Sequence, residues 1–460
     1  MPVTSSSADS IGLWEATGLP HLLRIPKLAL RPANLAIVLF AILATFLWGG
    51  LLDLLWPTRV SERAIAEFVD ARVVDRPYVE PDGGGRIFSV WRRHQQRCLR
   101  DLLGASLPGV SLAQGTFLTH YIETGTVARP LRHLASMAYG AWWFVRYHFV
   151  YFLVSGAGVL AIWSLAGGAV CRIVALQFAR EELLTWRQGL AFARKKLLGG
   201  FALAPCIPLI MAGCIMVLLA LGGMMLRIPY LGDLLGGAAF FLALLGGFLI
   251  AVLLAGLAAG GHLFWPMVAA DECEGFDAFS SGFAYVFNRP WKTLWYLTVS
   301  LVYAAICWLV LNVFAYLSLA ITRSVVAFGT APLGWWRYDA GGSRISKLES
   351  LWPMSGPGDL YHWPDTTGFG PGDYLSAVLI AFWVVATIGL IWAFLASFYF
   401  SACTVMYFLL RRDVDQRPFD EVYVAGEMEE DFDRPRQPGS PAPAGIGVSL
   451  PIVEPSSPPQ

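Results

Sequence analysis

Charged residues are scarce in this 460-residue chain, where they make up 14% of the total against about 25% in typical soluble domains. Hydrophobic residues make up 56%, and the mean hydropathy is +0.56. Lys plus Arg and Asp plus Glu each number 33, so the formal net charge is zero. The chain lacks the excess positive charge that a nucleic-acid partner would require. We therefore expect a membrane protein that binds no nucleic acid.

The motifs that announce chemistry are also missing. None of the seven cysteines forms a C-x-x-C pair, which excludes the common zinc knuckle and thioredoxin-like motifs. The chain has no phosphate-binding G-x-x-x-x-G-K-[ST] loop, no H-E-x-x-H helix and no G-x-S-x-G elbow. We therefore predict a protein that is not an enzyme, and we assign no catalytic, cofactor-binding or metal residue and no cofactor.

Long uncharged runs are what the chain does contain. Crossing a bilayer core takes about 20 apolar helical residues, and six segments meet that length. They lie between Arg31 and Asp53, from Tyr147 to Cys171, between Lys196 and Arg227, between Asp233 and Asp271, between Lys292 and Arg323, and between Asp373 and Arg411. The predicted fold class is all-α, a polytopic transmembrane helix bundle of about six spans.

A seventh uncharged stretch, residues 102–122, is less apolar. It contains Pro108, Gln114, His120 and three glycines. We place it outside the bilayer core, either as an interfacial helix or as a re-entrant segment.

Lys and Arg in the short flanks of the spans give an orientation. Four clusters fall on one side of the predicted membrane: Arg24, Lys27 and Arg31; Arg172, Arg180, Arg187, Arg194, Lys195 and Lys196; Arg289 and Lys292; Arg411, Arg412 and Arg417. The short loop between spans three and four holds only Arg227. We expect a multi-pass protein of the cell (inner or plasma) membrane with both termini in the cytoplasm.

These boundaries divide the chain into seven parts. They are a cytoplasmic lead (1–32), span one (33–53), an extracytoplasmic segment with an amphipathic helix over Ile87–Leu103 (54–146), a core of spans two to five (147–323), an extracytoplasmic Gly/Pro/Trp-rich loop (324–373), span six (374–410) and a cytoplasmic tail (411–460). The tail contains an acidic run, and its last 26 residues include eight prolines. We therefore predict it to be disordered.

An internal repeat is suggested within the core. Gly189 and Gly282 are 93 positions apart, and the same offset places Glu181 on Glu274. Each copy reads as span, cytoplasmic amphipathic helix, span, with Phe276, Phe279, Phe283 and Phe287 forming an aromatic stripe in the second. Either the unit is duplicated, as in parallel-repeat transporters, or any interfacial helix between two spans produces the same pattern.

Two stretches carry a family resemblance. The first comprises Ala169–Arg172, Phe178–Arg180 and Phe192–Lys196, and the second comprises Phe276–Phe279 and Tyr285–Trp291. Both stretches resemble a family of uncharacterised bacterial polytopic membrane proteins. More distantly, the pattern is similar to the membrane domain found with some glycerophosphodiesterases. The chain shows no phosphodiesterase domain, so the resemblance implies the topology and no activity.

A few residues could nevertheless carry chemistry. His262 is the one titratable residue well inside an uncharged run. It is interpreted either as a proton relay or as a side chain that is simply bonded to a carbonyl. Arg146 and His148 lie beside Trp142 and Trp143, which predicts the outer interface. The segment Asp359–Asp365 contains two carboxylates and His362. These residues could form a metal or sugar site, or the segment could simply cover the end of the bundle.

Backbone irregularities and an acidic cluster leave further alternatives. Pro205 and Pro208 predict a kink in span three. Gly256 and Gly260 belong either to a helix that unwinds around a substrate or to a small-residue packing face, which we favour. The carboxylates of Asp271, Glu272, Glu274 and Asp277 either pair with the other cytoplasmic loop or complement a helix dipole, and we favour the dipole.

From these features we predict a non-catalytic membrane or envelope-associated scaffold. Its partners would be the lipid bilayer and proteins bound through residues 54–146 or the tail. The alternative is a transporter or channel for a neutral or lipid-like solute.

Overall fold

The computed structural model describes residues 17–73, 84–106, 128–225, 230–330, 336–338, 344–353, 360–361, 363–366 and 368–423. Within these ranges the chain is almost entirely helical. The helices are α1 (Leu19–Leu22), α2 (Ile25–Ala29), α3 (Pro32–Leu55), α4 (Glu62–Val73), α5 (Ile87–Ser106), α6 (Ala128–Tyr147), α7 (Phe149–Arg180), α8 (Trp186–Lys195), a π-helix (Leu197–Ala202), α9 (Leu203–Met225), α10 (Leu231–Asp271), α11 (Gly275–Asn288), α12 (Pro290–Thr330), α13 (Lys347–Leu351) and α14 (Pro371–Asp415).

Two short antiparallel ribbons complete the described structure. Strand β1 (Arg59–Ser61) pairs with β2 (Gly84–Arg86), with Val60 opposite Gly85. Strand β3 (Trp336–Tyr338) pairs with β4 (Arg344–Ser346), with Arg337 opposite Ile345.

Among the described residues, six helical segments are long and apolar enough to cross a membrane: Pro32–Leu55, Phe149–Arg180, Leu197–Met224, Gly236–Asp271, Pro290–Gly329 and Pro371–Asp415. They coincide with the six predicted spans, and the predicted all-α bundle is confirmed. We call them spans 1 to 6. Span 6 is 45 residues long, about 68 Å of helix, so it exceeds a bilayer core of about 30 Å.

Spans 1 and 2 run in opposite directions. Arg31, just before α3, donates to the side chain of Gln177 near the end of α7 at 3.2 Å, and Tyr151 near the start of α7 donates to Asp53 near the end of α3 at 3.0 Å. The bundle therefore has an α8–α11 end, where spans 2 and 4 finish, and an α5–α6 end, where span 1 finishes.

Packing is tight at the α8–α11 end. Buried stretches there run from Ala166 to Leu176 in α7, from Met267 to Ala270 in α10 and from Ala402 to Arg411 in α14. Glycine makes this approach of helices possible, since a Cβ on Gly167 would lie 2.6 Å from the Trp265 ring and one on Gly168 2.8 Å from Phe201. The shared core of spans 2, 3, 4 and 6 lies at this end.

Toward the α5–α6 end, span 4 leaves the core. Phe240, Phe241 and Leu242 are 55%, 69% and 62% exposed, and successive helical residues point about 100° apart, so three sides of this half of α10 are open. Here α10 packs on α9, where Leu219 fills the space beside Gly246, while α12 packs on α14. Spans 3 and 4 thus form a hairpin that splays from the rest of the bundle.

Span 3 begins irregularly, close to its predicted kink. Residues 197–202 form a π-helix, and Pro208 lies inside the helix that follows. Pro205 has no N–H for the carbonyl four residues earlier, that of Phe201. The indole Nε1 of Trp265 donates to this carbonyl at 2.7 Å, so span 4 replaces the missing backbone bond.

Folded layers cover both ends of the bundle. At the α5–α6 end, Ile65 and Val69 of α4, Phe88 of α5 and Phe144 of α6 form one core cluster with the ends of spans 1 and 2. Helix α5 corresponds to the predicted amphipathic helix, whereas residues 107–127, most of the ambiguous stretch 102–122, lie outside the described residues.

Several boundaries differ from those predicted. Helix α12 continues to Thr330, beyond the expected end of span 5 at 323, and Leu348 and Trp352 after it pack on Val384 of α14. At the other end, α14 continues to Asp415 and Val422 is buried. Residues 411–415, predicted to belong to the disordered tail, are therefore helical, and residues 424–460 lie outside the described residues.

Candidate functional site

A buried carboxylate lies at the α5–α6 end. Asp53, in the last turn of α3, is 5% exposed. It accepts hydrogen bonds from the backbone N–H of Phe88 at 2.9 Å, from the N–H of Ser89 at 3.0 Å and from the Ser89 hydroxyl at 2.5 Å. The Tyr151 hydroxyl donates to the same carboxylate at 3.0 Å. One side chain thus joins α3, α5 and α7.

The placement of Asp53 follows from the needs of α5. The first amides of a helix have no partner inside it and carry partial positive charge, so a carboxylate from another element can cap them. In the sequence Asp53 only marks the end of an uncharged run. The position of Asp53 could have indicated this role. An aspartate in the last turn of a helix interacts unfavourably with the helix dipole, so its presence there predicts a hydrogen-bonding partner in another element.

A second buried cluster lies at the α8–α11 end. Arg411 of α14 is 1% exposed and donates to the Asp271 carboxylate at 2.9 Å. Tyr407 also donates to that carboxylate. The other guanidinium nitrogen of Arg411 reaches the Glu421 carbonyl at 2.5 Å. The cluster ties the ends of spans 4 and 6 to the chain that follows α14.

The acidic cluster is therefore divided between the two interpretations. Glu272 pairs with Lys195 at 3.3 Å and Glu274 with Lys196 at 3.0 Å, so pairing with the other loop describes these two, whereas Asp271 pairs with Arg411 of α14. That was the less favoured interpretation. Asp277 lies in the first turn of α11, as the dipole interpretation expects. Lys195 is largely exposed, and such surface pairs each contribute about 0–1 kcal/mol.

Tyr285 of α11 extends this cluster. Its hydroxyl donates to Asp415, and its ring lies 6.2 Å from that of Tyr407 at an interplanar angle of 24°. Burial, and then the Asp415 carboxylate, raise the pKa of Tyr285 above its ordinary range. The phenol is therefore a hydrogen-bond donor throughout the physiological pH range.

Arg172 acts as a cap for span 4. It is buried, donates to the carbonyl of Ala269 at 2.7 Å and lies over the Phe192 ring at 4.4 Å. The last carbonyls of a helix lack amide partners, and a cation there also complements the dipole. In the sequence Arg172 and Arg411 counted only as positive charges in the flanks.

His262 is bonded to a carbonyl. Its ring makes a hydrogen bond to the backbone of Ala259, one turn earlier. Its Nε2 is buried and has no hydrogen-bond partner among the residues that the structure describes. The bond to Ala259 is the one that the simpler of its two interpretations expects.

His148 lies at the α5–α6 end, directly before α7. Its ring is 5.0 Å from that of the buried Trp143, and burial lowers the pKa of His148. Arg146 is exposed. Neither belongs to a cluster of reactive groups.

A cysteine and a histidine also meet in α5. Cys98 Sγ lies 3.6 Å from His94 Nε2, but the same nitrogen lies 3.3 Å from the carbonyl of Ser136. A carbonyl only accepts, so Nε2 must carry the proton in that bond and cannot take one from the thiol. The pair therefore does not form a nucleophile and its base.

The predicted loop site is only partly covered. Asp359 and His362 lie outside the described residues, and Tyr361 packs against the cluster of Leu348, Trp352 and Val384. Among the described residues, no group of three or more His, Cys, Asp or Glu side chains could hold a metal ion.

Gly256 and Gly260 form a packing face, as favoured, but their partner is not another span. A Cβ on Gly256 would lie 2.0 Å from the Phe283 ring, and one on Gly260 3.2 Å from the Gly282 carbonyl. Both contacts are with α11. Gly189 of α8 lies similarly against Ile173 and Ala169 of α7, so each interfacial helix folds back onto its preceding span.

Comparison with family models, curated proteins and solved structures gives no match. The resemblance stated above therefore stays a prediction, and so does the duplication. The role of the site must therefore be inferred from its own side chains. Buried charged residues such as Asp53 and Arg411 hold the helices together.

Proposed function

We propose that this protein is a non-catalytic membrane scaffold that presents a folded layer at each end of a six-span bundle. The observation that carries the proposal is the use of its buried ions. Asp53 receives four donors from α5 and α7, and Arg411 bridges span 4 and the segment after span 6. The Asp53 carboxylate and the two terminal nitrogens of Arg411 are thus engaged in joining elements, as a rigid platform requires, whereas Arg411 Nε has no hydrogen-bond partner among the described residues.

In this proposal the protein is not an enzyme and lies in the cell membrane with both termini cytoplasmic. The Lys and Arg clusters of the flanks support the orientation. Its protein partners bind the 54–146 layer or the C-terminal tail, since these are the largest segments outside the spans.

One observation favours the second candidate, a transporter for a lipid-like solute. The splayed half of α10 opens an apolar face beside the bundle within the predicted membrane, and such a face suits an acyl chain better than a polar solute. Spans that separate in this way could admit lipid from the side.

A reconstitution experiment separates the two candidates. Purified full chain is placed in vesicles that contain fluorescent phospholipid, and the fraction bleached by an impermeant reductant is followed over time. The scaffold predicts the same bleached fraction as protein-free vesicles. A fraction that rises toward complete bleaching would overturn the scaffold in favour of lipid transport.

A second measurement tests the scaffold directly. In cells, a photo-crosslinking residue replaces the exposed Glu67 of α4, in the layer that α4, α5 and α6 form at the α5–α6 end (the α5–α6 layer). In a control variant it replaces the exposed Leu244 of span 4. A discrete protein adduct at position 67 and not at 244 is expected. The absence of any protein adduct at position 67 would contradict a partner on this layer.

A further inference from the structure

The surface of the α8–α11 end carries two carboxylate-free segments that lie side by side. Residues 17–31 and 186–200 contain no Asp or Glu. Arg31, at the end of the first segment, donates to the carbonyl of Leu184, two residues before the second segment, at 3.1 Å, and to Gln177. The exposed Glu181 and Glu182 lie between these two acceptors in the chain. One segment forms α1 and α2, and the other forms α8 and the start of span 3.

Four cations of these segments point away from the bundle. Arg24, Lys27, Arg187 and Arg194 are exposed, and none of them has a carboxylate partner among the described residues. The neighbouring Lys195 and Lys196 differ, since they pair with Glu272 and Glu274. Arg187 and Arg194 are two helical turns apart in α8 and so share a face.

Large apolar side chains stand exposed among these cations. Leu23, Leu30, Leu183, Trp186 and Leu198 are each at least half exposed. Trp186 lies under the Arg187 guanidinium at 5.2 Å. On the opposite face of α8, Gly189 and Ala193 are buried against the bundle. Helices that expose apolar and cationic side chains together lie in the plane of the headgroups.

We propose that α1, α2 and α8 form a binding face for the headgroups of anionic phospholipids in the adjoining leaflet. The apolar side chains enter the acyl boundary, while the four cations meet the phosphate groups. Charge complementarity selects the anionic class, because zwitterionic headgroups gain little from unpaired cations. The inference depends on the bundle spanning a membrane and holds whether or not the scaffold is correct.

The competing occupant is the acidic run of the tail, Glu427, Glu429, Glu430, Asp431 and Asp433. An acidic peptide would satisfy the cations, but it would leave Leu183, Trp186 and Leu198 in water. A lipid satisfies both kinds of side chain, which is why the lipid is the occupant proposed.

The test measures lipid selectivity with the full chain in phosphatidylcholine membranes. Spin-labelled phosphatidylglycerol and spin-labelled phosphatidylcholine are added separately, and the motionally restricted fraction of each is compared. We expect the phosphatidylglycerol association constant to exceed that of phosphatidylcholine about threefold, and the excess to fall at high salt as the charges are screened. Equal association of the two lipids would overturn the proposal.

A fourfold variant locates the selectivity. Substitution of Arg24, Lys27, Arg187 and Arg194 by Gln should bring the ratio close to one. The control removes equal charge at the α5–α6 end through Gln at Arg59, Arg63, Arg92 and Arg146, and should keep the ratio. Selectivity that survives the first variant, or disappears in the control, contradicts the assignment.

The tail is tested in the same membranes. Neutralising its five carboxylates to amides should leave the phosphatidylglycerol preference unchanged. A preference that arises only in this variant would show that the tail occupies the face, and would overturn the proposal. If the fourfold variant does not fold, the proposal is still tested by the unmodified chain, whose preference for phosphatidylglycerol should decrease at high salt.

Discussion

Asp53 and Arg411 are buried, yet each has several hydrogen-bonding or ionic partners. Removing one partner of a buried ion pair such as Arg411–Asp271 costs about 3–5 kcal/mol, because it leaves the other charge uncompensated. Removing a hydrogen-bonding partner of Asp53, whose donors are neutral, costs about 1–3 kcal/mol. The ties at the two ends of the bundle are therefore more sensitive to substitution than the exposed pairs that surround them.

Replacing Asp53 with Asn should loosen the α5–α6 layer. The amide removes the charge and turns a donor toward the N–H groups of Phe88 and Ser89, which we expect to lower the free energy of unfolding by about 1–3 kcal/mol. Thermal unfolding in detergent and the rate of proteolysis within residues 56–148 measure the change. Glu67→Gln, an exposed change in the same layer, serves as control, and equal effects of both variants would show that the tie is unimportant.

Cys273, between α10 and α11, should react slowly with thiol reagents at neutral pH. Burial, and then the Asp271 and Asp277 carboxylates, raise its pKa to about 12. Because the thiolate is the reactive form, only about one molecule in 10⁴ is reactive at pH 8. Alkylation followed by mass spectrometry should show a rate that rises about tenfold per pH unit up to pH 11. A rate that levels off near pH 9 would indicate an ordinary thiol.

At the scale of elements, the two interfacial helices depend on glycine for close approach. Gly189, Gly256 and Gly275 each occupy a contact where a Cβ would meet another element below 3.0 Å. At Gly275 the opposing atoms belong to the backbone, so they cannot move aside as a side chain could. The start of α11 is thus fitted to the start of span 3.

Gly275→Ala should therefore destabilise the bundle. The new Cβ would lie 2.8 Å from the Ala204 nitrogen and 2.9 Å from the Gly199 oxygen, and overpacking of this kind costs about 1–3 kcal/mol. Gly247→Ala in α10 is the matched control, because nothing lies within 4 Å of its Cβ position. It should be neutral or stabilise the helix by up to about 1 kcal/mol. Thermal unfolding in detergent compares the two, and a Gly275→Ala variant as stable as the control would refute the contact.

At the scale of the whole molecule, spans 2, 3, 4 and 6 pack together at one end, and the hairpin of spans 3 and 4 separates from the other spans toward the opposite end. Spans 2, 4 and 6 share the buried α8–α11 end, whereas the hairpin of spans 3 and 4 stands apart toward the α5–α6 end. Water would make such a separation costly, but lipid covers apolar side chains as well as protein does.

Six spans require the loops before α8 and after α12 to lie on opposite sides of the membrane. Cysteines introduced at the exposed positions Thr185 and Glu349 should respond oppositely to an impermeant thiol reagent on intact cells. A cysteine at Glu67 should behave like that at Glu349. Labelling of 185 and 349 from the same side would refute the six-span bundle.

Local pattern was sufficient for part of this structure. Uncharged runs of span length located all six membrane-length helices, because hydrophobicity over about 20 residues is encoded within the run itself. The amphipathic period likewise located α5, α8 and α11. The acidic residues at the end of span 4 were recognised as a cluster, but their partners were not identified.

The sequence by itself determined the number and class of the membrane-length helices, since those depend on the solvent each segment prefers. Only the tertiary structure decided which charges are buried and what they hold. Asp53 meets Ser89, Asp271 meets Arg411, and Trp265 meets the carbonyl left free by Pro205. The partners in each pair are far apart along the chain, and a hydrogen bond needs a direction and a distance that no local period specifies.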